Sequence, residues 1–259
     1  MTAWIEGELV ARGATAEVRR GRPGTVVKTM NADLPVMVAE LEVRGTRAAM
    51  AAGLPVTALL DSDLEARPPT LTLEYNPGTH LVDRAEEIGA RAVGTLLAEL
   101  LELIHRADPG DVIPAERFLG HQIRAAEMPE PARASALRDL ERLTTGAERK
   151  LCHMDLHAHN VLWNGGPVII DWTDAMAAPP EADHARSRLL LETERYVTPP
   201  NEWSALDEEL AGLEDRAEEL HPGIVEASHA WDRVLSAARL DEHPSPPQRE
   251  ALLQAVSKP

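Results

Sequence analysis

Aromatic side chains are nearly missing from this 259-residue chain: five Trp, two Tyr and one Phe make up 3% of it. Aliphatic residues must therefore build the core. A single cysteine, Cys152, excludes an internal disulfide, and its place between Leu151 and His153 predicts a small buried residue. No apolar run approaches the roughly 20 residues of a membrane span. The N-terminus Met1-Thr2-Ala3-Trp4-Ile5-Glu6 lacks the basic stretch and apolar run of a leader. No membrane partner and a cytoplasmic location, where ATP is available, are the expectation. Positive charge is also scarce, with 26 basic against 43 acidic residues and a net charge of −17. That balance argues against nucleic acid or an anionic membrane surface as partner, and it is compatible with a cationic small substrate. Only three lysines occur: Lys28, Lys150 and Lys258.

The chemistry is concentrated in Cys152-His153-Met154-Asp155-Leu156-His157-Ala158-His159-Asn160, followed by Val161-Leu162-Trp163, a turn, and Val168-Ile169-Ile170-Asp171-Trp172. The pattern H-x-D-L-x-x-x-N, a strand and a final Asp has the skeleton of a kinase catalytic loop. Phosphoryl transfer needs little covalent help but much placed charge. One carboxylate must face the nucleophile while two oxygen ligands hold a metal. Asp155 is thus the candidate catalytic base, and Asn160 and Asp171 are candidate Mg²⁺ ligands. Taken singly, an Asp before an apolar run or an Asn after it is a cap or turn residue; the ordered combination carries the reading. His153 and His157, four apart, also invite a zinc-hydrolase reading of His153, Asp155 and His157. Against it, the Glu of H-E-x-x-H is absent and Asp155 would leave the shared helix face.

Upstream, Leu9–Arg12, the small-residue turn Gly13-Ala14-Thr15-Ala16, Glu17–Arg20, the turn Gly21–Gly24 and Thr25–Thr29 read as three strands. Gly13, Ala14 and Thr15 are candidates to approach phosphate oxygens through backbone N–H groups. Lys28 ends a β-branched run and is a candidate phosphate-pairing cation. A helix over 35–52 carries Glu40 and Glu42, one of which should hold the Lys28 ammonium; Glu42 is the preferred partner and Glu40 the alternative. Asp61-Ser62-Asp63 reads as a turn. Leu71–Tyr75 reads as a strand broken by Asn76-Pro77-Gly78, a hinge where Glu74, Tyr75 and Asn76 could bind adenine through their backbone. The lobe boundary is placed there, giving an N-terminal lobe 1–76 and a C-terminal lobe 77–259.

Beyond the hinge the period becomes helical. Val93, Leu96, Leu97, Leu100, Leu101 and Ile104 mark a helix over 88–106. A loop is expected over 109–114, and one or two helices over 115–143 broken by Pro129 and Pro131. A helix opening at Pro179-Pro180 carries Asp183, Arg186 and Arg188. An acidic helix runs through Leu220, its run 207–219 read as a solvated face. A last helix covers 224–240, with only the final few residues expected to lack structure.

These features together resemble the aminoglycoside phosphotransferase and choline kinase-like superfamily of small-molecule kinases, over nearly the whole chain. The resemblance rests on the Gly13-to-Val18 hairpin, Lys28, Glu42 ahead of Gly53, the hinge near Tyr75, the segment from His153 to Asn160, and Ile170-Asp171-Trp172. It implies a two-lobed α+β, protein-kinase-like fold: a small antiparallel β-sheet lobe with one helix, and a larger, mostly helical lobe. It also implies ATP and Mg²⁺ as cofactors, His153 and Asp183 as supports of the catalytic loop, and an acceptor pocket in the helical lobe, here within 192–231. Met154 stands where the family usually has Gly, so a local packing change is expected with Asp155 retained. The A-P-E element of protein kinases is absent, which argues against a protein substrate. The implied activity is transfer of the γ-phosphoryl group to a hydroxyl of a small molecule, such as an aminoglycoside or other antibiotic in a resistance role. A sugar, amino-alcohol or nucleoside acceptor is the alternative. A nucleotide-binding regulator with weak catalysis is the alternative of another class.

Overall fold

The computed structural model describes residues 7–257, so the leader reading of Met1–Glu6 and the last two residues lie outside it. The chain first forms β1 (Leu9–Arg12), β2 (Ala16–Arg20) and β3 (Thr25–Met30), then α1 (Val36–Ala51), β4 (Leu59–Asp63) and β5 (Thr70–Glu74). All five strands join one antiparallel sheet in the order β1-β2-β3-β5-β4. Along β3, Val26, Lys28 and Met30 alternate inward as a strand with one buried face requires. Ala16, Met30, Ala39, Val43 and Leu71 form the core between sheet and helix.

The rest is predominantly helical. After β6 (Thr79–His80) come α2 (Ala85–Ile88), α3 (Ala90–His105), β7 (Ile113–Pro114), α4 (Ala115–Ala125) and α5 (Glu130–Thr144). Next come β8 (Lys150–Cys152), β9 (Val161–Trp163), β10 (Pro167–Ile169) and β11 (Met176–Ala178). Helices α6 (Pro180–Glu194), α7 (Trp203–Leu220), α8 (Ile224–Ser228), α9 (Asp232–Arg239) and α10 (Pro246–Ser257) complete the chain. This is the two-lobed α+β architecture expected from the motifs. Two three-stranded sheets, β10-β9-β6 and β7-β11-β8, hold the loop between β8 and β9 against the helices. No helix among the described residues is long and apolar enough to cross a membrane.

Three glycines set the closest packing. A Cβ on Gly94 of α3 would lie 1.8 Å from the Glu209 carbonyl oxygen, and one on Gly212 of α7 would lie 2.0 Å from that of Arg91. These two helices therefore touch backbone to backbone, which only glycine allows. The acidic run on α7 is not wholly a solvated face, because Glu208 and Asp215 pair with Arg91 of α3 and Glu209 is buried. Gly45 of α1 similarly rests on the Trp172 carbonyl oxygen, 2.3 Å from where its Cβ would be.

Four local expectations need correction. Asp61-Ser62-Asp63 lies within β4, and the turn follows it, where Asp63 Oδ1 accepts the N–H groups of Glu65 and Ala66. Pro131 does not break a helix: it sits in the first turn of α5, where a missing N–H costs nothing. The span 224–240 is two helices joined by a 3₁₀ turn at His229–Trp231. Helix α10 was not foreseen, although Ser245-Pro246-Pro247-Gln248 has the makings of a helix start. Gln248 Oε1 accepts the Ser245 N–H (3.1 Å) and hydroxyl (2.9 Å) with prolines in the first turn.

Candidate active site

The sheet presents Lys28 to α1. Its ammonium lies 2.7 and 2.8 Å from the two oxygens of Glu42 and 3.2 Å from Oδ1 of Asp171. Lys28 is 7% exposed and Glu42 2%. Burial would lower the Lys28 pKa, but the Glu42 and Asp171 carboxylates outweigh it and hold the ammonium charged. Burial pushes the Glu42 carboxyl up, opposed by Lys28. The Thr173 hydroxyl stands 2.8 Å from Asp171 Oδ1 and 3.2 Å from Glu42 Oε2, closing the cluster. Glu40 makes no such contact, so Glu42 is the partner of Lys28.

The loop after β8 is clamped by one buried carboxylate. Asp183 Oδ2 accepts the His153 backbone N–H (2.8 Å) and His105 Nε2 (3.0 Å), while Oδ1 accepts the Met154 N–H (2.7 Å). Burial would raise the Asp183 carboxyl, yet the His105 contact and the backbone donors bring it below the usual range. His153 donates from Nε2 to the Ile170 carbonyl (3.1 Å) and accepts the Asp155 N–H at Nδ1 (3.2 Å). Burial keeps this imidazole neutral, and Trp172 lies against it with ring centroids 4.7 Å apart. With both nitrogens committed, His153 has none left for zinc, which removes the hydrolase reading of His153, Asp155 and His157. Met154 adopts φ 61°, the reason a glycine suits the position, and its side chain is buried against the α4 and α9 core.

Asn160 donates Nδ2 to both the Asp155 backbone oxygen (2.8 Å) and Oδ2 (3.0 Å), so the two ends of the loop meet. Burial opposes ionisation of Asp155, but His157, 3.7 Å away, and Arg186, 3.6 Å away, bring its pKa down to about 2. Asp171 also has positive φ (61°) and stays ionised because Lys28 overcomes the effect of burial.

Three residues given no site role from the sequence surround Asp155. Asp174 has no hydrogen-bond partner for its carboxyl among the described residues, and burial, Asp155 and Glu242 push its pKa up to about 8. Arg186 reaches from α6 and Glu242 from the turn after α9. With Gln122 and Phe118 of α4 they line a narrow recess beside the catalytic loop. Only the short spacing from Asp171 to Asp174 offered a signal in the sequence. Of the stretch 192–231, Glu194 opposes the lowering of the His159 pKa, and burial pushes the Glu209 carboxyl up to about 7, with His157 opposing.

Between the lobes lies a cleft of about 650 Å³, and every candidate site residue except the buried loop supports His153 and Asp183 lines it. At the hinge, the N–H groups of Glu74 and Tyr75 already donate to Ala58 and Gly24 (both 2.9 Å). At the small-residue turn, Asn31 takes up the carbonyls of Ala14 (2.7 Å) and Thr15 (2.8 Å). A family model described as the phosphotransferase enzyme family matches residues 7–223. The chain belongs to that family. This phosphotransferase has the fold of small-molecule kinases. The choline kinase of Streptococcus pneumoniae shares 17% identity and superposes with a TM-score of 0.61, over 96% of this chain and 94% of that one. An amicoumacin kinase, solved with AMP-PNP, Ca²⁺ and Ami, shares 13% identity at a TM-score of 0.62, over 96% and 86%. An aminoglycoside phosphotransferase of Streptomyces rimosus, solved with ADP and streptomycin, shares 18% at 0.54, over 89% and 93%. A search of curated protein sequences finds no match.

The donor set of the cleft suits a hard divalent cation. Asn160 spends its amide nitrogen on Asp155 and keeps its oxygen; Asp171 commits Oδ1 to Lys28 and Thr173 and keeps Oδ2. The one convergent His/Cys/Asp group among the described residues, His105, Cys152 and Asp183, is built differently. Its carboxylate is spent on backbone donors, so it is a structural support of the loop.

Proposed function

We propose that this enzyme transfers the γ-phosphoryl group of ATP to a hydroxyl of a small acceptor, with Asp155 as the catalytic base. The observation that carries this reading is the convergence on one cleft of Asp155–Asn160 and of Asp171–Lys28–Glu42, brought from strand, helix and loop over 143 residues of sequence. Lys28, fixed by Glu42, pairs with nucleotide phosphates. The turn Gly13-Ala14-Thr15, its carbonyls held by Asn31, offers N–H groups to the same phosphates. Asn76 follows the two hinge donors already used and supplies the backbone N–H for the base. Asn160 and Asp171 would hold Mg²⁺, which neutralises phosphate charge as it builds in transfer.

Asp155 accepts a hydrogen bond from the acceptor hydroxyl and aims its oxygen at phosphorus. As the O–P bond forms and the bond to ADP breaks with its electrons leaving on ADP, the hydroxyl proton passes to Asp155. A carboxylate with pKa about 2 is a weak base, so it orients the hydroxyl early and takes the proton late.

The acceptor is cationic in this reading, an amino alcohol or an aminoglycoside: Asp174, with no hydrogen-bond partner for its carboxyl, is crowded by burial and by the Asp155 and Glu242 carboxylates, and an ammonium brought beside it would restore its charge. A role in antibiotic resistance and a cytoplasmic location belong to the same proposal. The test is a coupled ADP-release assay with ATP·Mg²⁺ over aminoglycosides, other antibiotics, amino alcohols, sugars and nucleosides, with Asp155→Ala alongside. Turnover on amine-bearing acceptors that the variant loses is expected. Turnover confined to neutral sugars would remove the cationic acceptor, and turnover retained by Asp155→Ala would remove the base.

A further inference from the structure

Arg186 is an arginine where a kinase loop does not obviously need one. It sits in the middle of α6, 4% exposed, among Ala185, Ser187 and Leu189. Its guanidinium does three things at once. Nε donates to the Met154 carbonyl at 3.0 Å, Nη2 donates to Glu242 Oε2 at 2.9 Å, and the same Nη2 stands 3.6 Å from Asp155 Oδ1. Glu242 is itself held by Arg239 Nη1 at 2.9 Å. A chain of alternating charge therefore runs Asp155, Arg186, Glu242, Arg239, from the catalytic loop to the turn after α9. Its last two members lie beyond residue 223, where the family match ends.

The loop it touches holds one of the site's two left-handed non-glycine residues, the other being Asp171. Met154 holds φ 61° with a branchless but bulky side chain, a conformation disfavoured for any residue but glycine. Asp183 ties down its N–H and Arg186 its C=O, so the residue that leads into Asp155 is gripped at both of its backbone polar groups. The Asp155 carboxylate is then flanked by Asn160 at Oδ2 (3.0 Å) and by Arg186 at Oδ1 (3.6 Å). The Arg186 distance is too long to use up the oxygen's lone pair and short enough to orient it. A lysine could not reproduce this, because its ammonium is one point and the guanidinium is a planar fork serving separate acceptors.

We propose that Arg186 is a positioning residue for the Asp155 carboxylate, and that Glu242, from outside the family-matched span, holds Arg186 in place. The inference rests on the reading of Asp155 as the base. It differs from a counterion role in what it says about the kinetics. A counterion would be replaced by Lys without loss, whereas a positioning fork would not.

The test uses full-length Arg186→Lys, Arg186→Gln and Glu242→Gln, with Asp155→Ala alongside, and two readouts. The first is steady-state turnover on the best acceptor of the panel. Arg186→Gln should lose about 100-fold in kcat, as a small misplacement of a reacting group does, with KM for ATP within about twofold of the parent. Arg186→Lys should recover only a fraction of that loss, and Glu242→Gln should lose about tenfold. The second readout is hydrogen exchange of the segment 152–160 with ATP·Mg²⁺ present, which should quicken in all three variants and needs no acceptor. Full kcat in Arg186→Lys, or an unchanged exchange pattern in a folded Glu242→Gln, would overturn the proposal. An Asp155→Ala enzyme that still turns over would instead remove the base, leaving the exchange result to decide what Arg186 does to the loop.

Discussion

His184 offers the sharpest test of the energetics behind the loop. It follows Asp183 on α6, is 1% exposed, and neither ring nitrogen has a hydrogen-bond partner among the described residues. Burial first, then the charges of Arg188 and His105, bring its pKa down from the ordinary 6.5 to about 4; Asp183 opposes and His229 adds to the effect. The folded protein thus keeps His184 neutral at pH values where the unfolded chain protonates it. A depressed folded pKa means that stability is fully present above 6.5 and is lost as pH falls toward 4, at 1.36 kcal/mol per unit. From pH 8 to pH 5 the loss from this one group is about 2 kcal/mol (1.5 units below 6.5). His184→Leu removes both orphan nitrogens at similar volume, which should gain about 1 kcal/mol at pH 8. At pH 5 the advantage should reach about 3 kcal/mol, since the variant no longer titrates there. Urea unfolding of both proteins at pH 8 and pH 5 measures this, and every other titrating group cancels in the difference. An advantage that does not widen between the two pH values would refute the reasoning.

Glu42→Gln should destabilise by about 2–3 kcal/mol in urea melts, less than the full cost of orphaning a buried charge because Asp171 still faces Lys28. It should also weaken ATP·Mg²⁺ binding by calorimetry. Gly94→Ala should cost at least about 3 kcal/mol, since ordinary contact at 3.4 Å demands that α3 and α7 part by about 1.6 Å (3.4 − 1.8). A melting temperature within 2 °C of the parent would contradict it. Asp174→Asn should raise KM for an amine-bearing acceptor about tenfold or more with little change in KM for ATP; equal effects on both would place Asp174 with the nucleotide.

What could be read along the chain was whatever local spacing encodes. The β3 alternation that buries Lys28, the 3.6-residue rhythm of α3 and the fixed order His153, Asp155, Asn160, Asp171 all express geometry within one element or one loop. The partners Arg186 and Glu242 express something else. They meet the loop only because α6 and α9 fold over it, so no periodicity announces them, and an arginine in an acidic chain reads as a surface charge until its burial is known. The contacts of Gly94 with Glu209 and of Gly212 with Arg91 are equally silent, since a lone glycine in a helical pattern carries a propensity penalty and no hint of what presses against it. In α10 the signal was present as a serine, two prolines and a glutamine, but prolines are read first as breakers.

The seat of Gly45 on the Trp172 carbonyl has a consequence for how such an enzyme is governed. Where a side chain separates a helix from the segment beside it, the helix can swing out and return, and a signal can act on that swing. Bare backbone against bare backbone leaves no cushion to compress and no alternative groove to slide into. Helix α1, and with it Glu42 and the ammonium it holds, is set as soon as the chain folds. An enzyme assembled in this way has its Lys28–Glu42 pair in place before any nucleotide arrives.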